Sequence, residues 1–271
     1  MCGIHAVLRR SNIAPSDLTG TLRQSLHNRG PDHLGQVTRS LPLPPTNDDG
    51  TDSPAVHLTL TSTVLALRGD HIATQPLCDS SGDSSVLCWN GEAWRLDGQP
   101  VWGNDGENIH TRLKQTPTDD APDTIEEYIL SVFRSIQGPF AFVYYNSHDR
   151  RVFFGRDRLG RRSLLLHKTK DGRSVSFSSV AGPPVVDWQE IPADGLYSLS
   201  LDAFVGDSVD YDKDVQRHSW LEGELDVNMV SSVNGTDSVC EVHTELPFSR
   251  PFPLLQAHIC RSPTWASSTL R

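Results

Sequence analysis

No stretch of this 271-residue chain approaches the run of about 20 apolar residues that crosses a bilayer. Residues 1–15 also lack the apolar centre of a secretory leader, so a cytoplasmic or nuclear protein with no membrane partner is expected. A surplus of positive charge is missing too. With 24 Lys and Arg against 34 Asp and Glu, the net charge of -10 argues against nucleic acid as a partner. Basic residues do gather at Arg156, Arg158, Arg161 and Arg162, but Asp157 and apolar positions interrupt them, so no basic stripe forms. Cysteine is sparse and poorly spaced for structural use. Cys2, Cys78, Cys88, Cys240 and Cys260 are odd in number with no pair at ligand spacing, which excludes a disulfide framework or a zinc site and predicts free thiols. The eleven histidines bring no HExxH pattern, and His27 and His33 flank a Gly-Pro turn, so no metal is expected.

What is present begins at the second position. A cysteine behind a removable Met1 becomes, once that methionine is gone, a residue with both a thiol and a free α-amine. The thiol titrates near pKa ~8.5 and the amine near ~7.7 to 8.0, so the amine can take the thiol's proton directly or through water. Nucleophile and base then reside in one residue, as in enzymes that pair a threonine hydroxyl with its own N-terminal amine. Position alone leaves an ordinary cysteine as the alternative.

The patterning predicts an α+β protein. Ile4, Ala6 and Leu8 alternate as a strand that would put Cys2 at its mouth. Ser16 is a candidate N-cap for a helix carrying Leu18, Leu22 and Leu26, stopped by Gly30-Pro31. Residues 40–54 read as an exposed loop, followed by strands at 56–60, 64–67 and 86–89, the last running into Asn90-Gly91. Asp123 and Glu126 have capping-box spacing ahead of a helical stripe of Ile125, Ile129, Val132, Phe133 and Ile136. Strands at 140–145, 152–154, 163–167, 175–178 and 196–201 follow with only turns between them, which favours antiparallel sheets with helices packed outside. Beyond residue 202 scattered acidic residues and prolines predict an acidic linker or disordered tail over 203–271.

Four further segments carry chemistry: Asn28-Arg29-Gly30-Pro31-Asp32, Leu67-Arg68-Gly69, Trp89-Asn90-Gly91-Glu92 and the run from Gly155-Arg156-Asp157 to Arg161-Arg162. Read singly, Asn90-Gly91 is a hairpin turn, Arg68 a surface charge, Arg29 to Asp32 a helix stop, and Arg156 with Asp157 an ion pair within a turn. Together with Met1-Cys2-Gly3-Ile4, in this order, they resemble the class II glutamine amidotransferase domain found at the front of asparagine synthetases, over about residues 2–202. That resemblance implies an N-terminal nucleophile hydrolase fold, a four-layer αββα sandwich with antiparallel sheets, and glutamine as substrate. It implies Cys2 as nucleophile, Asn90 and Gly91 as oxyanion donors, Arg68 on the substrate α-carboxylate, and Glu92 and Asp105 on the α-ammonium. Arg29, Gly30, Asp32, Arg156 and Asp157 take structural places near the site. Neither metal nor organic cofactor is needed for this half-reaction.

The synthetase half of that family carries a Ser-Gly-Gly-x-Asp-Ser phosphate loop, and nothing in residues 203–271 matches it. Ser81-Gly82-Asp83-Ser84 lacks the second glycine and a following helix, and reads as a loop. The expectation is a glutaminase that does not make asparagine alone, with a synthetase domain on another chain as its partner. A glutamine-binding or regulatory protein that keeps the fold without turnover is the alternative.

Overall fold

A computed structural model of the chain describes residues 2–11, 18–43, 55–79, 84–117, 122–206 and 208–221, with backbone alone at 122 and 123. Its elements are β1 (Gly3–Ser11), α1 (Gly20–His27), β2 (His33–Pro42), β3 (Ala55–Val64), β4 (Leu77–Cys78), β5 (Val86–Gly91), β6 (Arg95–Leu96), β7 (Gln99–Pro100), α2 (Asp105–Leu113) and α3 (Pro122–Arg134). Then come β8 (Phe140–Asn146), β9 (Arg151–Arg156), β10 (Leu165–Lys168), β11 (Ser174–Ser178), β12 (Gln189–Glu190), β13 (Leu196–Ser200), α4 (Tyr211–Asp214) and β14 (Val215–His218). One six-stranded sheet runs β12-β10-β11-β1-β3-β2, and a second runs β14-β13-β9-β8-β5-β4. All named strand pairs are antiparallel.

The two sheets stack through their apolar faces. Ile4, Ala6, Leu8, Leu58, Leu60 and Phe177 of the first meet Val86, Cys88, Val143, Phe154 and Leu199 of the second in one buried cluster. A second cluster joins the outer face of the second sheet, through Leu87, Trp89, Phe142 and Phe153, to Ile109 and Leu113 of α2 and Ile125, Ile129, Val132 and Phe133 of α3. The predicted α3 stripe is therefore the side that is buried, and each such aliphatic or aromatic group contributes about 1.5–3 kcal/mol. On the outside of the first sheet lies α1, with Leu22 and Leu26 buried. The order of layers is helix, sheet, sheet, helix: the N-terminal nucleophile hydrolase sandwich.

Several local expectations change. β3 runs unbroken through the turn expected at 61–63, where Thr61, Ser62 and Thr63 are buried within the sheet, and it ends at Val64, so the strand expected at 64–67 does not form. The loop expected from residue 40 begins later, since β2 runs to Pro42, and residues 44–54 lie outside the described region. Ser16 also lies outside it, and α1 starts at Gly20 behind Thr19, whose side chain makes no cap bond. The side chain of Asp123 is outside the described set, while Glu126 accepts from Arg151 Nη1 at 2.9 Å and Ser198 Oγ at 3.0 Å.

The boundary expected at 202 falls inside the fold. β14 pairs with β13 from Leu196 opposite His218 to Leu199 opposite Val215. Asp210, within the stretch expected to be an acidic tail, caps the single turn of α4 by accepting from Asp212 N, and it pairs with Lys213 at 2.7 Å. A one-turn helix and a four-residue strand leave too short a pattern to read from sequence. Trp220 Nε1 donates to Ala193 O at 2.9 Å, holding the chain to Leu221, and residues 222–271 lie outside the described region.

Candidate active site

Cys2 stands at the start of β1, where three elements cinch the chain. Ile4 N donates to Ser179 Oγ at 3.0 Å and Ser179 N donates to Ile4 O at 2.8 Å. Thr63 Oγ1 donates to Leu26 O at 2.7 Å, tying β3 to the end of α1 beside Gly3. A Cβ on Gly3 would lie 2.6 Å from that hydroxyl, so the nucleophile candidate must be followed by glycine. Arg29 Nε donates to Cys2 O at 3.1 Å and so orients the peptide carrying the thiol. Gly30 and Asp32 fix the neighbouring wall. A Cβ at Gly30 would come within 2.6 Å of the Thr63 and Val64 backbone, and Asp32 Oδ2 accepts from Ala66 N at 2.8 Å.

The cleft at Cys2 is lined by Leu65, Arg68, Gln75, Asn90, Gly91, Glu92, Asp105 and Arg162 among others. Thus all six residues assigned to catalysis or substrate binding meet in one place. The oxyanion pair follows from the ladder phase of β5. Glu92 N donates to Pro139 O at 2.9 Å, and Asn90 sits opposite Ala141 on β8. Antiparallel bonding alternates, so the amides of Leu87, Trp89 and Gly91 point to the other edge, away from β8. β4 occupies that edge only opposite Val86 and Leu87, which leaves the Gly91 N–H on an open edge at the cleft. Asn90 shares the inner face with Val86 and Cys88, toward the sheet that bears Cys2. It is 1% exposed, and its Nδ2 has no partner among the described residues. Gly91 tolerates no side chain there, because a Cβ would fall 2.6 Å from Phe140 Cβ.

The charged groups are held in different ways. Asp105 begins α2 and is buried, its Oδ2 accepting from Trp89 Nε1 at 3.0 Å and Ala93 N at 2.8 Å. Asn104 caps α2 through Glu107 N. Arg68 donates from Nη1 to Ala93 O at 2.6 Å and from Nη2 to Val101 O at 2.7 Å, which fixes its guanidinium plane. Glu92 is exposed at the rim. The Cys2 thiol makes a long 4.0 Å contact to Leu65 O, and burial pushes its pKa up, the carbonyl and nearby cations opposing this less strongly. A thiol in this environment depends on a base to become a thiolate.

The ion pair expected between Arg156 and Asp157 does not form. As β9 ends, alternation sends the two side chains to opposite sides. Arg156 donates to Arg162 O at 2.7 Å, Ile191 O at 3.0 Å and Gly160 O, and pairs with Glu190 at 2.8 Å. Asp157 accepts from Phe140 N at 3.0 Å and pairs with Arg161 at 2.9 Å. Both roles are structural, with other partners. Gln75, Asn104 and Arg162 carry no functional signal in the sequence, and neither the strand over 33–42 nor the helix over 105–113 shows there; α2 has only Ile109 and Leu113 as an apolar pair at helical spacing.

The segment carrying Arg68 is tied to α2 by a histidine. His71 Nδ1 lies 2.8 Å from Asp70 Oδ1 and Nε2 lies 2.9 Å from Glu107 Oε1, and these carboxylates raise its pKa above the ordinary 6.5. A raised folded-state value means the clip contributes fully below the unfolded pKa and is lost as pH rises through the folded one. Limited proteolysis within 67–74 therefore accelerates as pH is raised from about 6 to about 8.5. A His71→Ala variant should be cut at the faster rate throughout, and equal rates for parent and variant at the lower pH would contradict the clip.

Residues 63–182 match the glutamine amidotransferase domain family, and the antiparallel sandwich and the cleft at Cys2 accord with that likeness. That match includes Arg68, Asn90, Gly91, Glu92 and Asp105, while Cys2 and Arg29 precede it. Among whole proteins the chain is similar to asparagine synthetase domain-containing protein 1: 32% identical to the Homo sapiens protein over 209 residues, covering 76% of this chain and 29% of that one. The Bos taurus protein is 33% identical over 205 residues, covering 74% and 29%. The chain thus spans less than a third of the length of these curated relatives. A solved structure described as the allosteric regulatory enzyme of purine biosynthesis shares the fold, with a TM-score of 0.50 and 13% identity over 82% of this chain and 49% of that one.

Proposed function

We propose that this chain is a cytoplasmic glutaminase that hydrolyses glutamine to glutamate and ammonia through a thioester on Cys2. The observation that carries the reading is the buried, unpartnered Nδ2 of Asn90 next to the open-edge amide of Gly91. A buried donor without a partner is costly to keep. Two donors at the edge of a nucleophile's cleft are what an acyl-transfer intermediate requires.

With Met1 removed, the Cys2 amine takes the thiol proton, and the thiolate attacks the side-chain carbonyl carbon of glutamine. Asn90 Nδ2 and Gly91 N–H hold the resulting oxyanion. The carbon–nitrogen bond breaks, the protonated amine returns its proton to the leaving nitrogen, and ammonia departs. Water then attacks the thioester, releasing glutamate and restoring the thiol. Arg68 holds the substrate α-carboxylate, with Asp105 and Glu92 on its α-ammonium.

Kinship to asparagine synthetase domain-containing proteins supports a place in amide biosynthesis, with a synthetase domain on another chain as the consumer of ammonia. Incubating the purified chain with glutamine should release glutamate and ammonia in equal amounts. Release from other primary amides at the same rate, with no competition by glutamine, would point to a different amidase. A second reading, glutamine binding without turnover, is favoured by the burial that pushes the Cys2 thiol toward its protonated form; it predicts saturable glutamine binding with no glutamate formed.

A further inference from the structure

Gln75 is 4% exposed and belongs to the cleft wall, yet the steps above give it no task. Its Oε1 accepts from Trp89 N at 2.9 Å. The position of that bond within the sheet gives it meaning. Along the outer edge of β5, the Leu87 amide faces β4 and the Gly91 amide faces the open cleft. The Trp89 amide lies between them, where β4 has already ended, because its register stops with Leu77 opposite Leu87. The Gln75 side chain thus supplies the acceptor that a strand backbone would have supplied. Since Trp89 N–H can only donate, the amide oxygen must face it, which fixes the flip of the Gln75 carboxamide.

From this we infer that Gln75 is a positioning residue for the oxyanion donors: it extends the ladder one step past the end of β4, so that Asn90 and Gly91 project from a pinned strand rather than a frayed end. Other bonds already hold the neighbourhood from other sides. Trp89 Nε1 reaches Asp105, and Glu92 N reaches Pro139 O, but neither restrains the amide edge that carries Gly91 N–H. On that edge Asp105 Oδ2 accepts from Ala93 N at 2.8 Å beyond Gly91, and Gln75 holds the step before it. Its effect is on the placement of donors needed as the oxyanion forms, not on the contacts that hold the α-carboxylate and α-ammonium at Arg68 and Asp105.

This inference rests on the glutaminase reading, and the test separates the two. Gln75→Met keeps the length and removes the acceptor, whereas Gln75→Glu keeps an acceptor for Trp89 N–H. Rates are counted per site labelled by a glutamine-like electrophile, so that misfolded molecules do not enter. Parent protein that labels and turns over glutamine sustains the reading; parent protein that does neither ends the reading before Gln75 is at issue. Given an active parent, Gln75→Met should lower kcat per labelled site by roughly 10- to 100-fold, with KM for glutamine within about 3-fold. Gln75→Glu should recover most of the lost kcat. Amide exchange at Trp89 should accelerate in the methionine variant only. Unchanged kcat per site in Gln75→Met, or a fall in both variants to the same level, would overturn the assignment. If the methionine variant yields no folded protein, the glutamate variant decides: kcat within about 10-fold of the parent supports it, and a deeper loss overturns it.

Discussion

Replacing Cys2 with alanine should stop glutamate release while leaving glutamine binding intact. The loss expected for removing the nucleophile of an acyl-transfer site is on the order of 10⁴-fold or more in kcat. Binding is spared because the groups assigned to the α-carboxylate and α-ammonium are anchored elsewhere. Arg68 is fixed by the carbonyls of Ala93 and Val101, and Asp105 by Trp89 Nε1 and Ala93 N. Alanine at position 2 breaks none of these bonds, and the thiol contact it gives up among the described residues is the 4.0 Å approach to Leu65 O. Stability should therefore change little. Isothermal titration with glutamine together with a glutamate assay reads both quantities, and turnover persisting in Cys2→Ala would remove Cys2 from the mechanism.

Asn90→Ala should separate activity from stability in opposite directions. Losing one oxyanion donor costs roughly 10²- to 10³-fold in kcat, or about 2.7–4 kcal/mol of transition-state stabilisation. A buried polar group with a satisfied network would also destabilise the fold when removed, but Asn90 Nδ2 has no partner among the described residues. Taking away an unpaired buried donor relieves a desolvation cost of about 1–3 kcal/mol, offset in part by the smaller volume left behind. The expected variant is far slower than the parent and no less stable to urea. Equal loss of both would mean that Asn90 is an ordinary core residue. Gly91 offers no such clean test, since any side chain there meets Phe140 Cβ and Pro139 O.

How much of this was legible in the sequence differs by physical cause. The α3 stripe could be read because five apolar residues repeat at helical spacing and all face one sheet. The order of Cys2, Arg29 to Asp32, Arg68, Asn90 to Glu92 and Arg156 to Arg162 carries the likeness to the amidotransferase fold and the content of the cleft, because each short motif joins a glycine to a thiol, amide or charged side chain; Asn90-Gly91, a hairpin turn by sequence, lies within β5 instead. β2 was invisible because its polar alternation, through Gln36, Thr38 and Ser40, matches an exposed loop as well as an edge strand. Thr61, Ser62 and Thr63 have turn chemistry in the sequence and show their strand character only as they lie buried in the sheet, while 65–67, apolar by pattern, follow the end of β3 at Val64. Adjacency in sequence suggests a pair between Arg156 and Asp157, but successive residues at a strand end face opposite ways. Gln75 could not be recognised at all: its task depends on β4 ending two residues too early for Trp89, a fact of register rather than of composition.

The central claim is that Cys2 becomes an N-terminal nucleophile with its own amine as base. Intact mass of the purified chain, before and after treatment with a glutamine-like covalent inhibitor, tests it most directly. The account predicts a mass lacking Met1, one inhibitor added per chain at Cys2, and protection of that site by glutamine. A chain that retains Met1 yet reacts and turns over normally, or a chain without Met1 whose Cys2 takes up no inhibitor, would contradict it.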